Sequence, residues 1–213
     1  MEVGRGLRRL PALLDDGPLI DPLRGYWDFD DLDGTEARFR TLRAEALTQL
    51  ARVEGLRGRF VEGDRLLDEI DEQDARVAVR VALERGRLRR SAGDREAALP
   101  LFAHAFAAAL DAGEEWLAGD AAHMAALSAE DREGFAAWTD RGLELAERSE
   151  AAAYWAGPLL NNHGWQHFDA GEHEQALAAF ERALEVRLRE PENVAAIEHA
   201  RDAVAEARKA LRR

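Results

Sequence analysis

Three groups of side chains in this sequence carry enough chemistry to build a site. Arg76, Arg80, Arg87 and Arg90 recur, with Leu83, at spacings of three and four residues, so a helix would align them on one face; Arg52 adds a fifth guanidinium. The planar guanidinium fork matches a carboxylate or a phosphate, and several together would focus their field on an anionic ligand. The competing expectation is that these arginines pair with neighbouring glutamates such as Glu84 on a solvated face. Trp116, Asp120 and His123 form a second set at helical spacing, and Asn161, Asn162, Trp165 and Phe168 a third that combines amides with rings. Together with His167, these two sets could perform acid–base work on a small anionic aromatic substrate. His163 and His167 stand one helical turn apart and could share a metal ion, but a packed, hydrogen-bonded pair is the first expectation. No catalytic or metal-binding residue is assigned and no cofactor is expected, since the chain contains no HExxH, glycine-rich phosphate loop or GxSxG motif.

What would position these groups is a series of helix pairs. In Leu159 to Val186, LLNNHGWQHFDAGEHEQALAAFERALEV, Gly164 sits in mid-helix at a cost of about 1 kcal/mol, which suggests that a neighbouring helix presses on bare backbone there. Gly171 has the context of a left-handed turn residue, and small Ala176 and bulky Phe180 then share a face of the second helix with Ala183. Gly86, Gly93, Ala98, Phe102 and Ala105 repeat the same offsets, and a third unit retains Ala122, Gly134 and Trp138 without the turn glycine. Turn markers at Gly58, Gly93, about Ala129 and Gly171 give a period of roughly 35 to 42 residues.

This pattern resembles the tetratricopeptide repeat, a helix pair of about 34 residues with small, aromatic and small residues at these offsets. The chain as a whole resembles tetratricopeptide proteins of GC-rich bacteria that close with an alanine- and arginine-rich helix. The resemblance implies an all-α, right-handed superhelical solenoid of four helix pairs, at about 35–72, 74–112, 114–148 and 150–189. Within these, helices are expected from Thr35 to about Gly55, over 114–128 and over 131–148; a helix starting near Glu150 would absorb Pro158 as a kink, and Pro100 is early enough in its helix to be tolerated. Residues 191–213 would form a capping helix, and residues 1–34 an irregular acidic and aromatic arm with a short helix at Leu7 to Leu14.

The resemblance also places the first helix of each pair on a concave groove. That groove would carry Arg52, Arg80, Arg87 and Arg90 at one end and Trp116, Asp120, His123, Asn161, Asn162, Trp165 and Phe168 at the other. Asn162 stands where carboxylate-clamp members place an asparagine on a peptide backbone, whereas the lysines of that clamp have no counterpart here. The other tryptophans, Trp27, Trp138 and Trp155, are core by default.

Composition narrows the function classes. The chain has 213 residues, 46% of them hydrophobic, few of them β-branched, and a formal charge of −13. That balance argues against a general nucleic-acid binder and against adhesion to an acidic membrane. With one lysine, Lys209, among 29 basic residues, the arginine bias reads as codon pressure in a GC-rich bacterial genome. There is no cysteine, so disulfides and thiolate sites are excluded. No signal-peptide core and no run of 18 apolar residues is present, so a cytoplasmic protein is expected. The leading expectation is a non-enzymatic interaction module that binds an acidic or aromatic peptide or partner helix. Its own segment YWDFDDLDG has that character, and residues 26–33 are expected to fold back toward Arg80, Arg87 and Arg90. The alternatives are a small-molecule sensor or enzyme, and self-association through alanine-rich helices.

Overall fold

The computed structural model describes residues 23 to 212, and among them there are nine α-helices and no strand. The helix expected at Leu7 to Leu14 lies outside the described residues. None of the described helices is long and apolar enough to cross a membrane. The chain divides into two compact units, Met1–Ala44 and Glu45–Arg213.

In the first unit a short 3-10 turn, Arg24–Tyr26, leads to α1, Leu32–Leu56, whose carboxyl-terminal half belongs to the second unit. The Thr35 hydroxyl donates to the Asp28 carbonyl and accepts from the Asp28 N–H, both at 2.9 Å, while Arg38 donates to the Tyr26 carbonyl. Trp27 stacks on Phe29 at 5.4 Å and meets the edge of Phe39 at 5.5 Å. The acidic-aromatic segment is therefore tied to the start of α1 by its own backbone and rings.

The second unit continues through α2 (Phe60–Asp68), α3 (Ala75–Ser91), α4 (Arg95–Asp111), α5 (Glu115–Ser128) and α6 (Arg132–Arg148). A 3-10 turn at Ala153–Trp155 precedes α7 (Ala156–Asp169), α8 (His173–Arg187) and α9 (Val194–Ala210). From α2 to α9 each helix packs on its neighbour in sequence, and α3 also touches α5. This is a helical-repeat-like arrangement, and its turns explain its regularity. Gly58, Gly93, Gly113 and Gly171 all have positive φ, between 70° and 89°, and each is followed two residues later by a new helix. At each the glycine N–H reaches the carbonyl three residues back and the next N–H the carbonyl five back, so the orphan carbonyls of the ending helix are satisfied. Asp74, Asp94 and Asp131 start α3, α4 and α6 by accepting the N–H three residues on, each worth about 1 kcal/mol.

The pairs interlock through missing side chains. A Cβ on Gly86 would stand 2.6 Å from the Phe102 ring, and one on Gly164 would collide with Phe180; both rings are fully buried. The third pair departs from the expected pattern. Gly134 lies against its own cap residue Asp131 rather than against the neighbouring helix, and Gly142 provides the close approach instead, where a Cβ would meet Leu159 at 2.5 Å and Ala122 at 3.2 Å. Trp138 packs edge-on against Phe106 of α4 at 5.6 Å. The helix expected from about Glu150 begins at Ala156, so Pro158 falls in its first turn, where a missing N–H breaks no bond and no kink is required. One core spans α3 to α6, around Leu83, Phe102, Leu117 and Leu145, and a smaller one joins α8 to α9 around Phe180 and Val204.

Candidate functional site

Arg87 of α3 is the most buried of the candidate arginines. One guanidinium nitrogen meets both Asp120 oxygens of α5, at 2.5 and 2.6 Å, and the other meets Glu84 at 2.6 Å. Its side chain is 10% exposed, those of Asp120 and Glu84 7% and 3%, so this is an internal ion triad rather than the solvated pairing expected for Glu84. Burial opposes the Arg87 charge, but Asp120 and then Glu84 outweigh it and raise its pKa. Burial wins at Glu84, whose pKa is raised above the usual carboxylate range despite Arg87 and the more distant Arg52, 4.0 Å away. Arg76 and Arg80 are also engaged: both reach Glu45, at 3.2 and 2.6 Å, and Arg76 bonds Glu114 as well. Three of the helix-face arginines are thus largely consumed by the protein itself.

Arg90 differs. Its Nε donates weakly to the Leu127 carbonyl at 3.4 Å, and burial, with Arg95 second, lowers its pKa. Arg187, near the end of α8, lies across the bare backbone of Gly157 and above the Tyr154 ring, 4.9 Å from its centroid. Its Nη1 is buried and bonds no protein group. Among the described residues neither Arg90 nor Arg187 forms an ion pair with a carboxylate.

The charges of both arginines act on His123 of α5. Its Nε2 is 2.9 Å from the Asn162 amide nitrogen of α7, and because that nitrogen only donates, Nε2 accepts and the ring proton sits on Nδ1. His123 Nδ1 is buried and has no partner in the protein. Burial, followed by the positive charges of Arg87, Arg90 and Arg187, pushes the imidazole pKa down to about 4 against the pull of Asp120, so the ring is neutral at pH 7. A buried donor without an acceptor costs about 1–3 kcal/mol, which makes Nδ1 and Arg187 Nη1 features that need a reason. The His123 ring packs 5.4 Å from Trp155, whose Nε1–H is fixed on the Trp116 carbonyl at 2.8 Å and whose ring fills the space over Gly119. Trp116 tilts over Trp155 at 5.2 Å and remains 43% exposed.

The remaining candidates separate from this cluster. Trp165 packs edge-on against Phe168 and Phe180 and is 37% exposed; Phe168 and Asn161 are partly buried. His163 and His167 stack with ring centroids 4.6 Å apart. His167 Nδ1 donates to Glu172 at 2.5 Å and Arg132 donates to the same carboxylate, so Arg132 and then His167 hold the Glu172 pKa down to about 2. Burial, then His167, lowers the His163 pKa. No group of three or more metal-capable side chains converges among the described residues. A cleft of about 470 Å³ lies elsewhere, between α6, α7 and α8, floored by Leu143, Ala156 and Leu160 and edged by charges of both signs, Arg182 and Glu185 among them. Neither His123 nor Arg187 is among the residues that line this cleft.

The structure brings together Arg87 with Asp120, and His123 with Asn162, contacts across 33 and 39 residues that helical spacing does not reveal. Sequence reasoning missed Arg187 and Trp155. Arg187 lies on a second helix of a pair, outside the face scanned for ligands; the one available signal was Gly157, a glycine in the first turn of α7 with no turn to make. No family model matches this chain, and no curated protein matches it closely enough to count as a relative.

Proposed function

We propose that this chain is a non-enzymatic interaction module of tetratricopeptide type, which binds an acidic or aromatic segment of a partner protein across α3, α5 and α7. The observation that carries this reading is that successive first helices carry an arginine without a carboxylate, Arg90, and the partly exposed rings of Trp116 and Trp165. Partly exposed aromatics and an uncompensated cation along one run of helices suit an extended ligand that is both anionic and apolar, since the rings gain area burial and the cation gains a partner. Electrostatics support the same choice: a strongly acidic protein repels acidic ligands in general, so a local cationic spot selects where one can land. The catalytic alternative has less behind it. Asp120 is committed to Arg87 and His167 to Glu172, which leaves neither as a free proton carrier.

The test is fluorescence anisotropy with a labelled peptide of alternating Asp and Phe or Trp. Saturable binding is expected, weakened about tenfold or more by Arg90→Glu or Trp116→Ala and weakened by added salt. A peptide that binds no better than its Asp→Asn counterpart, or both variants binding like the parent protein, would overturn the reading.

A further inference from the structure

The cleft between α6, α7 and α8 joins an apolar floor to a rim whose charges are sorted by end. Leu143 of α6, Ala156 and Leu160 of α7 and Val186 of α8 form the floor, with Leu160 only 3% exposed. Its volume of about 470 Å³ falls within the usual span of small-ligand pockets, about 300–1,000 Å³. α6 and α7 run in opposite directions along it, since Phe135 meets His163 and Gly142 meets Leu159. α8 in turn runs back along α7, with Phe180 on Gly164 and Arg187 on Gly157. This register puts Leu160 and Arg182 toward one end of the cleft and Ala153, Glu147 and Glu190 toward the other. Among the described residues Arg182, Glu147 and Glu190 take part in no ion pair, while Arg189 and Glu185 satisfy each other at 3.5 Å. The backbone reinforces the sign of the acidic end. α6 ends at Arg148 and α8 at Arg187, so two carboxyl-terminal helix ends bring negative partial charge there, against the single amino-terminal end of α7.

At about 1.5 Å of rise per residue, with Glu190 just past the last turn of α8, the opposite charges stand on the order of 10 Å apart. That is roughly the length of three residues of extended chain. A free cation at one end and free carboxylates at the other match a molecule of opposite polarity, and the floor requires it to be apolar between its ends. We propose that this cleft binds a short apolar peptide in its free, zwitterionic form, with the ammonium at Glu147 and Glu190, the carboxylate at Arg182 and an aliphatic side chain on Leu143, Leu160 and Val186. A folded partner does not offer both termini within three residues, so the ligand is a peptide fragment rather than a protein. The site is separate from the face of α3, α5 and α7 and stands whether or not that face binds a partner.

The probe is the tripeptide Leu-Ala-Leu, followed through the methyl resonances of Leu143, Leu160 and Val186 at pH 7 and constant ionic strength. Saturable shifts are expected, and acetylating the amino end or amidating the carboxyl end should each raise Kd about fivefold, the upper range for an exposed ion pair. Arg182→Gln should bind the free peptide and its amide alike, and Glu147→Gln combined with Glu190→Gln should bind the free and acetylated peptides alike. None of these three side chains belongs to the buried core, so the variants test the rim and not the fold. Absence of saturable shifts, equal affinity of the parent protein for free and capped peptides, or an amidation penalty that survives Arg182→Gln overturns the site. Arg90→Glu should leave tripeptide binding unchanged, which separates this site from the acidic-aromatic one; a loss of tripeptide binding in that variant would place the peptide on the other face and overturn the assignment to the cleft.

Discussion

At the scale of single residues, His123 converts geometry into a pH dependence. Its folded pKa of about 4 lies below the ordinary value of 6.5, so the native state refuses a proton that the unfolded chain accepts. The stability associated with the neutral ring is complete above pH 6.5 and is lost as the pH falls toward 4, a swing of roughly 3 kcal/mol. His163, also lowered by burial, acts with the same sign. Equilibrium urea unfolding between pH 7 and pH 4 should therefore show a steep decline that is flattened in His123→Gln. An equally steep decline in that variant would place the titration elsewhere. Glu172, held near 2 by Arg132 and His167, contributes only at lower pH, as the pH falls below the ordinary carboxylate range. The residue that leads this behaviour, His123, is not one of the histidine pair that first suggested chemistry. His163 and His167 pack on each other and His167 bonds Glu172, while His123 is left with an unused donor.

At the scale of helices, packing depends on glycines that admit rings. Gly164→Ala would drive a methyl group into Phe180, and Gly86→Ala into Phe102, each at a cost of about 1–3 kcal/mol for overpacking. Thermal unfolding should show both variants well below the parent protein, with Gly164→Ala partly restored by Phe180→Leu, which makes the space that the methyl group needs. Failure of the second substitution to restore any stability would mean that the glycine serves its helix backbone rather than the interface. These glycines were legible in the sequence because a ring and its socket recur at a fixed offset in two places, and repetition at a fixed offset is what a linear reading detects best. The helix boundaries around Gly58, Gly93 and Gly171 were legible for the same reason. The third pair was less so, because its close approach moved to Gly142 and its connection at Ala129 has an extended backbone without a glycine. Within the site, Arg80 and Arg87 were visible as a helical face, but their occupation by Glu45 and Asp120 was not, since partners 33 or more residues apart leave no local spacing to read. Arg187 escaped because a second helix was taken to face away from the groove, and only the tertiary packing of its stem on Gly157 brings it over Tyr154, the neighbour of Trp155.

At the scale of the molecule, stability in the second unit comes from contacts between helices adjacent in sequence, so it is distributed unevenly along the chain. The larger core joins α3, α4, α5 and α6, whereas α9 has a single neighbouring helix in sequence, against which Ala203, Val204 and Ala207 pack. Hydrogen exchange should accordingly be slowest in α4 and α5 and fastest in α9 within this unit, and uniform protection across all of them would contradict such a nearest-neighbour description. The internal ion triad has a different consequence at this scale. A ring in a glycine socket is the same object between α3 and α4 as between α7 and α8, so it says that two helices belong together without saying which two. Arg87 with Glu84 and Asp120 does say which: it ties α3 to α5 by a match of charge that the Gly164–Phe180 pair cannot imitate. The buried charges act as an address in a chain built from near-identical couplings, and shuffling its helix pairs would preserve every coupling while erasing the order in which they are meant to be joined.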